Sequence, residues 1–359
     1  MRIAINTRLL KPQKLEGIGR FSLETISRII QQHPEHEFHL IFDHFQRDLI
    51  PESKNVFHHT AFPPARRPFL FDWWFNYSVP FLLKRIQADI FISPDGHGSL
   101  RCPCPQLTII HDLNFVHHPE FLPKRYADYW NRTTRAVVAA STRIATVSEY
   151  SQSDIATTYG ISKNKIDVLC NGVNPVKNTG DSKRQPYFVF VGSLHPRKNL
   201  QHTLQAFQIF QAQHPGFQLK IVGESMFAGH ENTAQAGVDY LGRIAHAELF
   251  PLLEQSSGLL MVSHFEGFGI PILEALQCNV PVLAGDNTSM PEVGGNCCLY
   301  ADSNNVSEMA QKLSALLSVD TKDNAWQNER NRILEKYTWE NAADLLWKSI
   351  IKTIEDVAK

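Results

Sequence analysis

The chain lacks the features that mark several large protein classes. Its formal net charge is only −1, so it has no basic excess of the kind that nucleic-acid-binding proteins usually carry. It has no apolar run near the roughly 18 residues that a membrane-spanning helix needs. Its first residues, MRIAINTRLL, are too short and too polar for a secretory signal. We therefore expect a cytoplasmic protein without a nucleic-acid partner.

The cysteines do not follow a recognisable metal or disulfide pattern. They are Cys102, Cys104, Cys170, Cys278, Cys297 and Cys298. One Cys-x-Cys pair and one adjacent pair match neither a zinc site nor a regular disulfide framework. We expect free thiols in a reducing compartment and no metal site.

Short apolar runs alternate with helical patterns along the 359 residues, which predicts two parallel sheets covered by helices. Strands are predicted at 2–7, 37–42, 88–92, 107–111 and 143–147, and after the polar segment 174–186 at 187–191, 219–222, 258–262 and 280–284. Helices are predicted at 19–32, 124–140, 200–213, 247–255, 271–278 and 339–357. The fold class is thus α/β, with two Rossmann-like doubly wound domains and a cleft between them as the default active site.

The expected division of the chain follows the same pattern. Residues 1–175 form the first, acceptor-side domain, and residues 186–335 form the second, donor-side domain. Residues 336–359 form a carboxyl-terminal helix that can cross back to the first domain.

Two loops of the first domain carry candidate ligand contacts. In LEGIGRF, residues 15–21, Gly17 and Gly19 would let a phosphate or a sugar hydroxyl approach the amino end of the next helix. An ordinary turn is the alternative. In TIIHDLNF, residues 108–115, His111 leaves an apolar strand at its carboxyl end. It would donate a hydrogen bond to a substrate or orient the substrate, unless it is a satisfied structural histidine.

A pair of cations follows the first strand of the second domain. In FVGSLHPRKNL, residues 190–200, Arg197 and Lys198 precede a predicted helix that Asn199 is placed to cap. Two cations beside open helical amides suit a diphosphate. A solvated Arg-Lys pair is the alternative interpretation.

Two glutamates flank a glycine-rich turn in SHFEGFGIPILEALQ, residues 263–277. Glu266 is expected in the loop, and Glu274 in the first turn of a helix that Pro271 helps to begin. Carboxylates accept paired hydrogen bonds from vicinal diols, such as those of ribose and hexoses. The exposed amides of residues 268–270 would lie between the two carboxylates.

Together these loops resemble the family-4 retaining glycosyltransferases of the two-domain GT-B architecture, over nearly the whole chain. EGIGRF is similar to the glycine-rich loop of that family, HPRKN to its diphosphate clamp, and EGFGIPILE to its E-x7-E motif. VPVLAGDNTSMPEVGG and YTWENAADLL resemble its later segments. The chain departs from the family in having Val262 before Ser263, Asn279 before the Pro-Val strand, and Glu16 in the first loop.

The resemblance implies a role for each candidate residue. Arg197 and Lys198 would neutralise the donor diphosphate as it leaves. Glu274 would hold the ribose hydroxyls, and Glu266 would contact the donor sugar. The other implied donor contacts are His111, Gly17, Gly19 and the backbone amides of Phe268, Gly269 and Ile270. Ser148 and Glu149 often correspond to cleft residues in such families.

The charge stabilisation is expected to come from the protein. The chain contains no Asp-x-Asp sequence, so protein cations rather than a metal ion would stabilise the departing phosphate. The resemblance implies retention of configuration. Glu266 is the only good candidate nucleophile for a double displacement and is assigned to hydroxyl binding, so front-face transfer is preferred. The phosphate oxygen that departs would then take the acceptor proton.

The donor and the acceptor are less well defined by the sequence. No cofactor other than a nucleotide-sugar donor is expected, and GDP-mannose comes first because IHDLNFVHHPEF resembles mannosyltransferases of polysaccharide assembly. The acceptor would be a glycan or a lipid-linked saccharide. A sugar-nucleotide epimerase or phosphorylase of the same architecture, or a sugar-nucleotide sensor without activity, is the alternative.

An aromatic segment suggests contact with a membrane. ARRPFLFDWWFNYSVPFLLKR, residues 65–85, has basic flanks and could touch a lipid-linked acceptor or the inner face of the cell membrane. A buried helix of the first domain is the alternative. Pro80 is expected to interrupt any long amphipathic helix here.

Overall fold

A computed structural model describes residues 1–12, 15–45, 48–65, 67–175, 183–224 and 235–358. The chain divides into two compact units. One unit contains Met1–Gly172 together with Trp339–Lys359, and the other contains Val173–Thr338. Residues 176–182 of the predicted linker lie outside the described residues, as does Arg66 of the aromatic segment.

The first unit is built on a seven-stranded parallel sheet. Its strands are β1 (Arg2–Asn6), β2 (Glu37–Phe42), β3 (Val56–Thr60), β4 (Ile90–Ser93), β5 (Gln106–Ile109), β6 (Arg143–Thr146) and β7 (Ile166–Val168). Their order is β3-β2-β1-β4-β5-β6-β7, with every neighbouring pair parallel. The direction of winding reverses between β1 and β4. Such a reversal opens a crevice at the carboxyl ends of the strands, where ligands bind in open α/β sheets.

Helices cover both faces of this sheet. They are α1 (Gly17–Gln32), α2 (Pro68–Trp73), α3 (Val79–Ile86), α4 (Asn114–His117), α5 (Lys124–Ala140) and α6 (Glu149–Tyr159). A terminal helix, Trp339–Ala358, also belongs to this unit. The central strands are apolar on both faces, as in β4, where all four residues of the strand are buried.

The terminal helix is attached to the first unit by packing and by ion pairs. It packs against α1, and Arg28 of α1 donates from Nε to a Glu340 carboxylate oxygen at 2.9 Å. Arg143, at the start of β6, bonds Asp356 of this helix at 2.7 Å and both carboxylate oxygens of Asp167 at 3.0 Å. The buried guanidinium therefore joins β6, β7 and the terminal helix.

The second unit has a six-stranded parallel sheet. Its strands are β8 (Tyr187–Val191), β9 (Gln218–Val222), β10 (Val238–Gly242), β11 (Gly258–Met261), β12 (Val282–Gly285) and β13 (Cys298–Ala301). Their order is β10-β9-β8-β11-β12-β13, again parallel throughout. The winding reverses between β8 and β11. The loops after these two strands therefore open into the crevice of this sheet.

Helices and an aromatic core complete the second unit. The helices are α7 (Leu200–Gln213), α8 (His246–Glu254), α9 (Ile270–Gln277), α10 (Met290–Gly294), α11 (Val306–Leu316) and α12 (Asn324–Lys336). Phe188 and Phe190 of β8 pack with Phe207 and Phe210 of α7 in one buried cluster. This packing fixes α7 against the sheet and thereby places the loop between β8 and α7.

The predicted elements match the structure closely in the interior of each sheet. The predicted bounds of β2, β8, α5 and α7 are those observed. The four strands that the sequence did not predict, β3, β7, β10 and β13, are the edge strands of the two sheets. β3, β7 and β10 contain polar or charged residues and so lack the continuous apolar run that marks a buried parallel strand, whereas the apolar β13 does not have this explanation.

The expectation that Pro80 interrupts the helix of the aromatic segment is wrong. The chain is helical from Pro68 to Ile86, because a π-helical turn at Trp74–Ser78 joins α2 directly to α3. Pro80 lies two residues after the π-helical turn; it cannot donate an amide hydrogen to that turn, yet the helix continues through it to Ile86. The indole nitrogen of Trp74 donates to the Ala61 carbonyl at 2.9 Å, which anchors the helix to the unit. Within the described ranges, none of the helices is long and apolar enough to cross a membrane.

The packing of the terminal helix gives a stability prediction. Ile350 is fully buried, whereas Val357 on the same helix is 59% exposed. We expect Ile350→Ala to lower the free energy of unfolding by about 2–5 kcal/mol, since it removes buried methyl groups and leaves a cavity. Val357→Ala is the matched control and should change it by less than about 0.5 kcal/mol. Urea unfolding of both variants measures the difference, and equal values would show that the helix is not packed as described.

Candidate sugar-nucleotide site

The predicted cations and Glu266 come together at the winding reversal of the second sheet. Arg197 and Lys198 follow β8, and Glu266 follows β11, so both loops leave neighbouring strands at the same edge. The backbone amide of His264 donates to the Arg197 carbonyl at 2.8 Å and ties the two loops together. Residues that are far apart in sequence therefore share one small volume.

The two cations bind the Glu266 carboxylate directly. Arg197 Nη1 donates to Glu266 Oε2 at 3.0 Å and to the Phe265 carbonyl at 3.2 Å. Lys198 Nζ makes a very short contact with Glu266 Oε1, which also accepts from Ser263 Oγ at 3.0 Å. Glu266 is 5% exposed and Lys198 is 8% exposed. The cluster is thus a buried carboxylate held by two cations and a hydroxyl.

These contacts determine the charge state of Glu266. Burial alone would raise the pKa of its carboxyl, but the charges of Lys198 and Arg197 outweigh burial and lower the pKa to about 2. The carboxylate is therefore ionised at neutral pH. Both of its oxygens accept hydrogen bonds, Oε2 from Arg197 and Oε1 from Lys198 and Ser263.

The capping role predicted for Asn199 is wrong. Arg197 and Lys198 lie in a short 3-10 turn, Pro196–Lys198, and Asn199 follows in a left-handed conformation at φ 58°. Its side-chain amide donates to the carbonyls of Val262 and Ser303 at 3.0 and 2.7 Å instead of accepting from α7. The amino end of α7 is thus left without a side-chain cap from this residue.

The glycine-rich turn is held by hydroxyl groups beneath it. Ser289 Oγ lies 2.9 Å from the carbonyl oxygens of both Glu266 and Phe268, and the Glu266 amide donates to Thr288 Oγ1 at 3.3 Å. Gly269 precedes α9 with φ 106°, a conformation that side chains other than glycine's rarely adopt. These hydrogen bonds and the glycine at position 269 therefore hold the backbone of the turn in the conformation that leads into α9.

Glu274 does not lie where the sequence placed it. It is the fifth residue of α9, in the second turn rather than the first, and it is 4% exposed. Pro271 does occupy the first turn, as expected. Asn279 adopts a left-handed conformation with φ 54°, which asparagine tolerates better than most residues other than glycine.

The glycine loop of the first unit is also shorter than expected. α1 begins at Gly17 rather than Gly19, so both glycines lie in its first turn. Gly17 is exposed, with open space where a side chain would stand. Gly19 is buried, and a Cβ there would meet the Leu9 carbonyl oxygen and the Leu15 side chain at 3.0 Å. A side chain at Gly19 would therefore be tightly packed, whereas Gly17 has open space beside its backbone.

His111 follows β5 and is fixed by its neighbours. Its Nε2 lies 2.9 Å from the Pro94 carbonyl oxygen, and Phe21 of α1 packs edge-on against the ring with centroids 5.1 Å apart. A carbonyl only accepts, so Nε2 carries the proton in this contact. Burial lowers the pKa of His111, which favours the neutral ring. Nδ1 is then the acceptor nitrogen of His111.

The sequence did not single out a buried ion pair at the winding reversal of the first sheet. Arg8 follows β1, and its Nε donates to Asp95, which follows β4, at 2.5 Å. Arg8 Nη2 lies 3.1 Å from His97 Nδ1, and its guanidinium stands over the Phe71 ring at 4.9 Å. Burial would raise the pKa of Asp95, but Arg8 outweighs it and keeps the carboxylate ionised. The one sequence feature that could have identified Arg8 and Asp95 is their position shortly after an apolar strand.

Two further sequence expectations concern Ser148 and the cysteines. Ser148 is buried at the start of α6, where its hydroxyl accepts from the Ser151 amide at 3.1 Å. This cap is sufficient to explain Ser148, and Glu149 begins α6 behind it. All six cysteines are free thiols, as expected. In the described part of the chain, no group of three or more His, Cys, Asp or Glu side chains could hold a metal ion.

Comparison with known proteins shows two family models in succession along the chain. "Glycosyltransferase Family 4" matches residues 16–177, and "Glycosyl transferases group 1" matches residues 176–332. Among curated proteins, the O-antigen chain mannosyltransferase B of Escherichia coli is 26% identical over 378 residues. That alignment covers 95% of this chain and 97% of the relative.

Solved structures share the fold at low sequence identity. WaaG, a glycosyltransferase involved in lipopolysaccharide biosynthesis, superposes with a TM-score of 0.74 at 15% identity, covering 95% of this chain and 97% of WaaG. Anabaena Alr3699/HepE in complex with UDP-glucose gives a TM-score of 0.71 at 15% identity, covering 98% and 100%. The predicted fold class, two Rossmann-like domains of the GT-B type, is confirmed.

The low pKa of Glu266 predicts how the ion cluster affects stability. A carboxyl with a lowered pKa stabilises the folded state above its ordinary pKa of 4.5 and loses that contribution as pH falls toward about 2. We expect Glu266→Gln to lower the free energy of unfolding by about 3 kcal/mol more at pH 7 than at pH 2. Glu335→Gln, at an exposed position of α12, is the control and should show no such difference. Denaturant unfolding at both pH values checks this, and a pH-independent loss would contradict the ion cluster.

Proposed function

The chain belongs to the family-4 glycosyltransferases of the GT-B fold, and we propose that it transfers a hexose from a nucleotide-diphosphate sugar to a hydroxyl group. The acceptor would be a glycan or a lipid-linked saccharide. The O-antigen chain mannosyltransferase B of Escherichia coli, which aligns over most of the chain, supports mannose as the hexose. GDP-mannose is the proposed donor.

One observation carries this proposal: Arg197 and Lys198 converge on one point at the carboxyl edge of the second sheet. Their two charges exceed the single charge of Glu266, so the cluster keeps a net positive charge. A diphosphate brought to this edge would meet that charge together with uncapped amides at the start of α7. The same cations would stabilise the negative charge that develops on the phosphate as the sugar leaves.

The state of Glu266 favours front-face transfer over a double displacement. A nucleophilic carboxylate needs a free oxygen electron pair directed at the anomeric carbon. A cation binds each oxygen of Glu266, and the low pKa makes the group weakly basic, so Glu266 would be a poor nucleophile. In the proposed mechanism the departing phosphate oxygen therefore takes the proton of the acceptor hydroxyl, with retention of configuration and without a metal ion.

The other candidate residues have roles that fit their surroundings. Glu274 would accept hydrogen bonds from the ribose hydroxyls, and the amides of Phe268, Gly269 and Ile270 would face the donor sugar. Gly17 would leave space beside the donor phosphates. His111 cannot donate from Nε2 while it holds the Pro94 carbonyl, so it would accept a sugar hydroxyl proton at Nδ1. This differs from the hydrogen-bond donor that the sequence suggested.

The proposed acceptor also suggests where the enzyme works. A saccharide on a lipid carrier lies at a membrane surface, so the protein would meet it at the inner face of the cell membrane. The enzyme would otherwise reside in the cytoplasm, where nucleotide sugars are made.

A panel of sugar nucleotides tests the donor. Ligands that bind the native state raise its melting temperature, so GDP-mannose should raise it more than UDP-glucose or UDP-galactose at equal concentration. Product analysis with a saccharide acceptor then separates the possible activities. A transferase releases GDP only as sugar reaches the acceptor, an epimerase changes the donor without acceptor, and a sensor binds without either reaction.

Loss of the two cations should strongly reduce turnover. The double variant Arg197→Ala, Lys198→Ala is expected to lower kcat about a hundredfold or more, since it removes charge stabilisation of the leaving phosphate. The double variant also leaves the buried Glu266 carboxylate without its two cations. The triple variant that adds Glu266→Gln should therefore recover stability without recovering turnover. Lys322→Ala, at an exposed position, is the control. Near-normal turnover of the double variant would remove the diphosphate assignment.

The proposed role of Glu274 has a separate test. Glu274→Gln should weaken GDP binding about tenfold or more, because a charged acceptor of the ribose hydroxyls is lost. The same substitution should have no effect on binding of 2′,3′-dideoxy-GDP, which lacks those hydroxyls. Calorimetric titration of both ligands against both proteins forms a double-mutant cycle. A zero coupling energy would assign Glu274 to folding alone.

A further inference from the structure

The helical segment Pro68–Ile86 of the first unit presents a line of aromatic side chains to solvent. Phe69, Trp73, Tyr77 and Phe81 are 62%, 54%, 47% and 71% exposed, and we call these four residues the aromatic ridge. The opposite face of the same helix is buried in the unit through Trp74, Phe75, Val79 and Leu83. A helix on the surface of a globular protein normally places polar residues on its outer face, so the ridge indicates a further contact.

The π-helical turn aligns the ridge. Residues four apart in a regular α-helix drift about 40° around the axis at each step, so four such residues would spiral away from one face. The turn at Trp74–Ser78 uses more residues per turn and reduces that drift in the middle of the ridge. Trp73, which directly precedes the turn, and Tyr77, which lies within it, stack with ring centroids 5.0 Å apart. The π-helical turn thus helps to keep the four aromatic rings on the same face of the helix.

The neighbouring loop is fixed to the same helix. The Leu100 amide donates to Asn76 Oδ1 at 2.8 Å, and the Arg101 guanidinium lies over the Tyr77 ring at 4.6 Å from its centroid. Leu100 is itself 48% exposed. The loop therefore adds one apolar side chain and one cation beside the ridge.

The charges around the ridge are mainly positive. Arg67 precedes α2, Lys84 and Arg85 lie in the last turn of α3, and all three are exposed. The one carboxylate between Arg67 and Arg85 is Asp72, which accepts from the Tyr129 hydroxyl at 3.0 Å. Cations thus border an apolar surface at both of its ends, and Arg101 borders its side.

We propose that the aromatic ridge binds the surface of an anionic membrane. Tryptophan and tyrosine favour the boundary between head groups and acyl chains, and an in-plane helix with aromatic residues and flanking cations binds there through apolar burial and charge attraction. The proposal rests on the proposed function only in supplying a reason for the contact, a lipid-linked acceptor in the same membrane. Binding to lipid is measurable without any transfer reaction.

Charge argues against a second copy of the chain as the occupant. In a two-fold symmetric dimer the ridge would face an identical ridge, and the cations at its ends and side would be brought together. Like charges placed together at an interface oppose association. A surface of anionic lipid has the complementary charge and is flat enough to meet four aligned side chains at once.

Flotation with lipid vesicles tests the proposal. The full chain should float with vesicles of phosphatidylcholine and phosphatidylglycerol and much less with phosphatidylcholine alone. The variant Phe69→Ser, Trp73→Ser, Phe81→Ser should bind the mixed vesicles about a hundredfold more weakly, because three side chains no longer leave water. The variant Lys84→Gln, Arg85→Gln, Arg101→Gln should lose the preference for phosphatidylglycerol.

A matched control changes exposed apolar residues elsewhere. Ile209, Leu317 and Val357 are 44%, 36% and 59% exposed, and their combined replacement by serine should leave flotation unchanged. The rise in melting temperature with GDP-mannose should be the same in the ridge variant as in the parent, which separates this proposal from the donor assignment. Absence of flotation by the parent, or equal flotation of the parent and the ridge variant, would overturn the proposal. A dimer in solution that the ridge variant abolishes would also overturn it, and would assign the ridge to a second copy.

Discussion

The buried carboxylate of Glu266 is the constraint on which the second unit's site depends. It binds Lys198 and Arg197, which lie 68 and 69 residues earlier in the chain, and so joins the loops after β8 and β11. A buried carboxylate without partners would be costly, and two close cations without a carboxylate would repel each other. The carboxylate and the cations therefore each lower the free-energy cost of burying the other. The result is a positively charged cluster whose side chains orient one another through direct contacts.

The same topological rule operates in both units. In each parallel sheet the winding reverses between two central strands, β1 and β4 in the first and β8 and β11 in the second. Each reversal is bridged by a buried ion pair, Arg8 with Asp95 in the first unit and the Glu266 cluster in the second. Loops at a reversal diverge to opposite faces of the sheet, so they lack the packing that adjacent helices would give. An ion pair between the loops compensates for that missing packing and leaves polar groups at the edge where a ligand binds.

Sequence reasoning recovered the interior of both sheets because buried parallel strands are continuous apolar runs. It missed β3, β7 and β10, whose runs contain polar or charged residues, and it also missed β13, which is apolar. It identified Arg197, Lys198 and Glu266 separately, as members of local patterns. It did not identify Arg8, Asp95 and His97, because no local pattern links residues that are 87 to 89 positions apart. It also misjudged Asn199, whose side-chain partners lie in other loops.

The sequence by itself determined the fold class and the placement of the chemically important loops after strands. These follow from periodicity and from local backbone preference, which act over a few residues. Only the tertiary structure decided that Glu266 holds the two cations, that His111 donates to a carbonyl rather than outward, and that the helix at 68–86 continues through Pro80 with its aromatic ridge exposed. Each of these depends on which strands are neighbours and which helix face is covered. Long-range packing sets those relations, and short-range sequence patterns do not encode them.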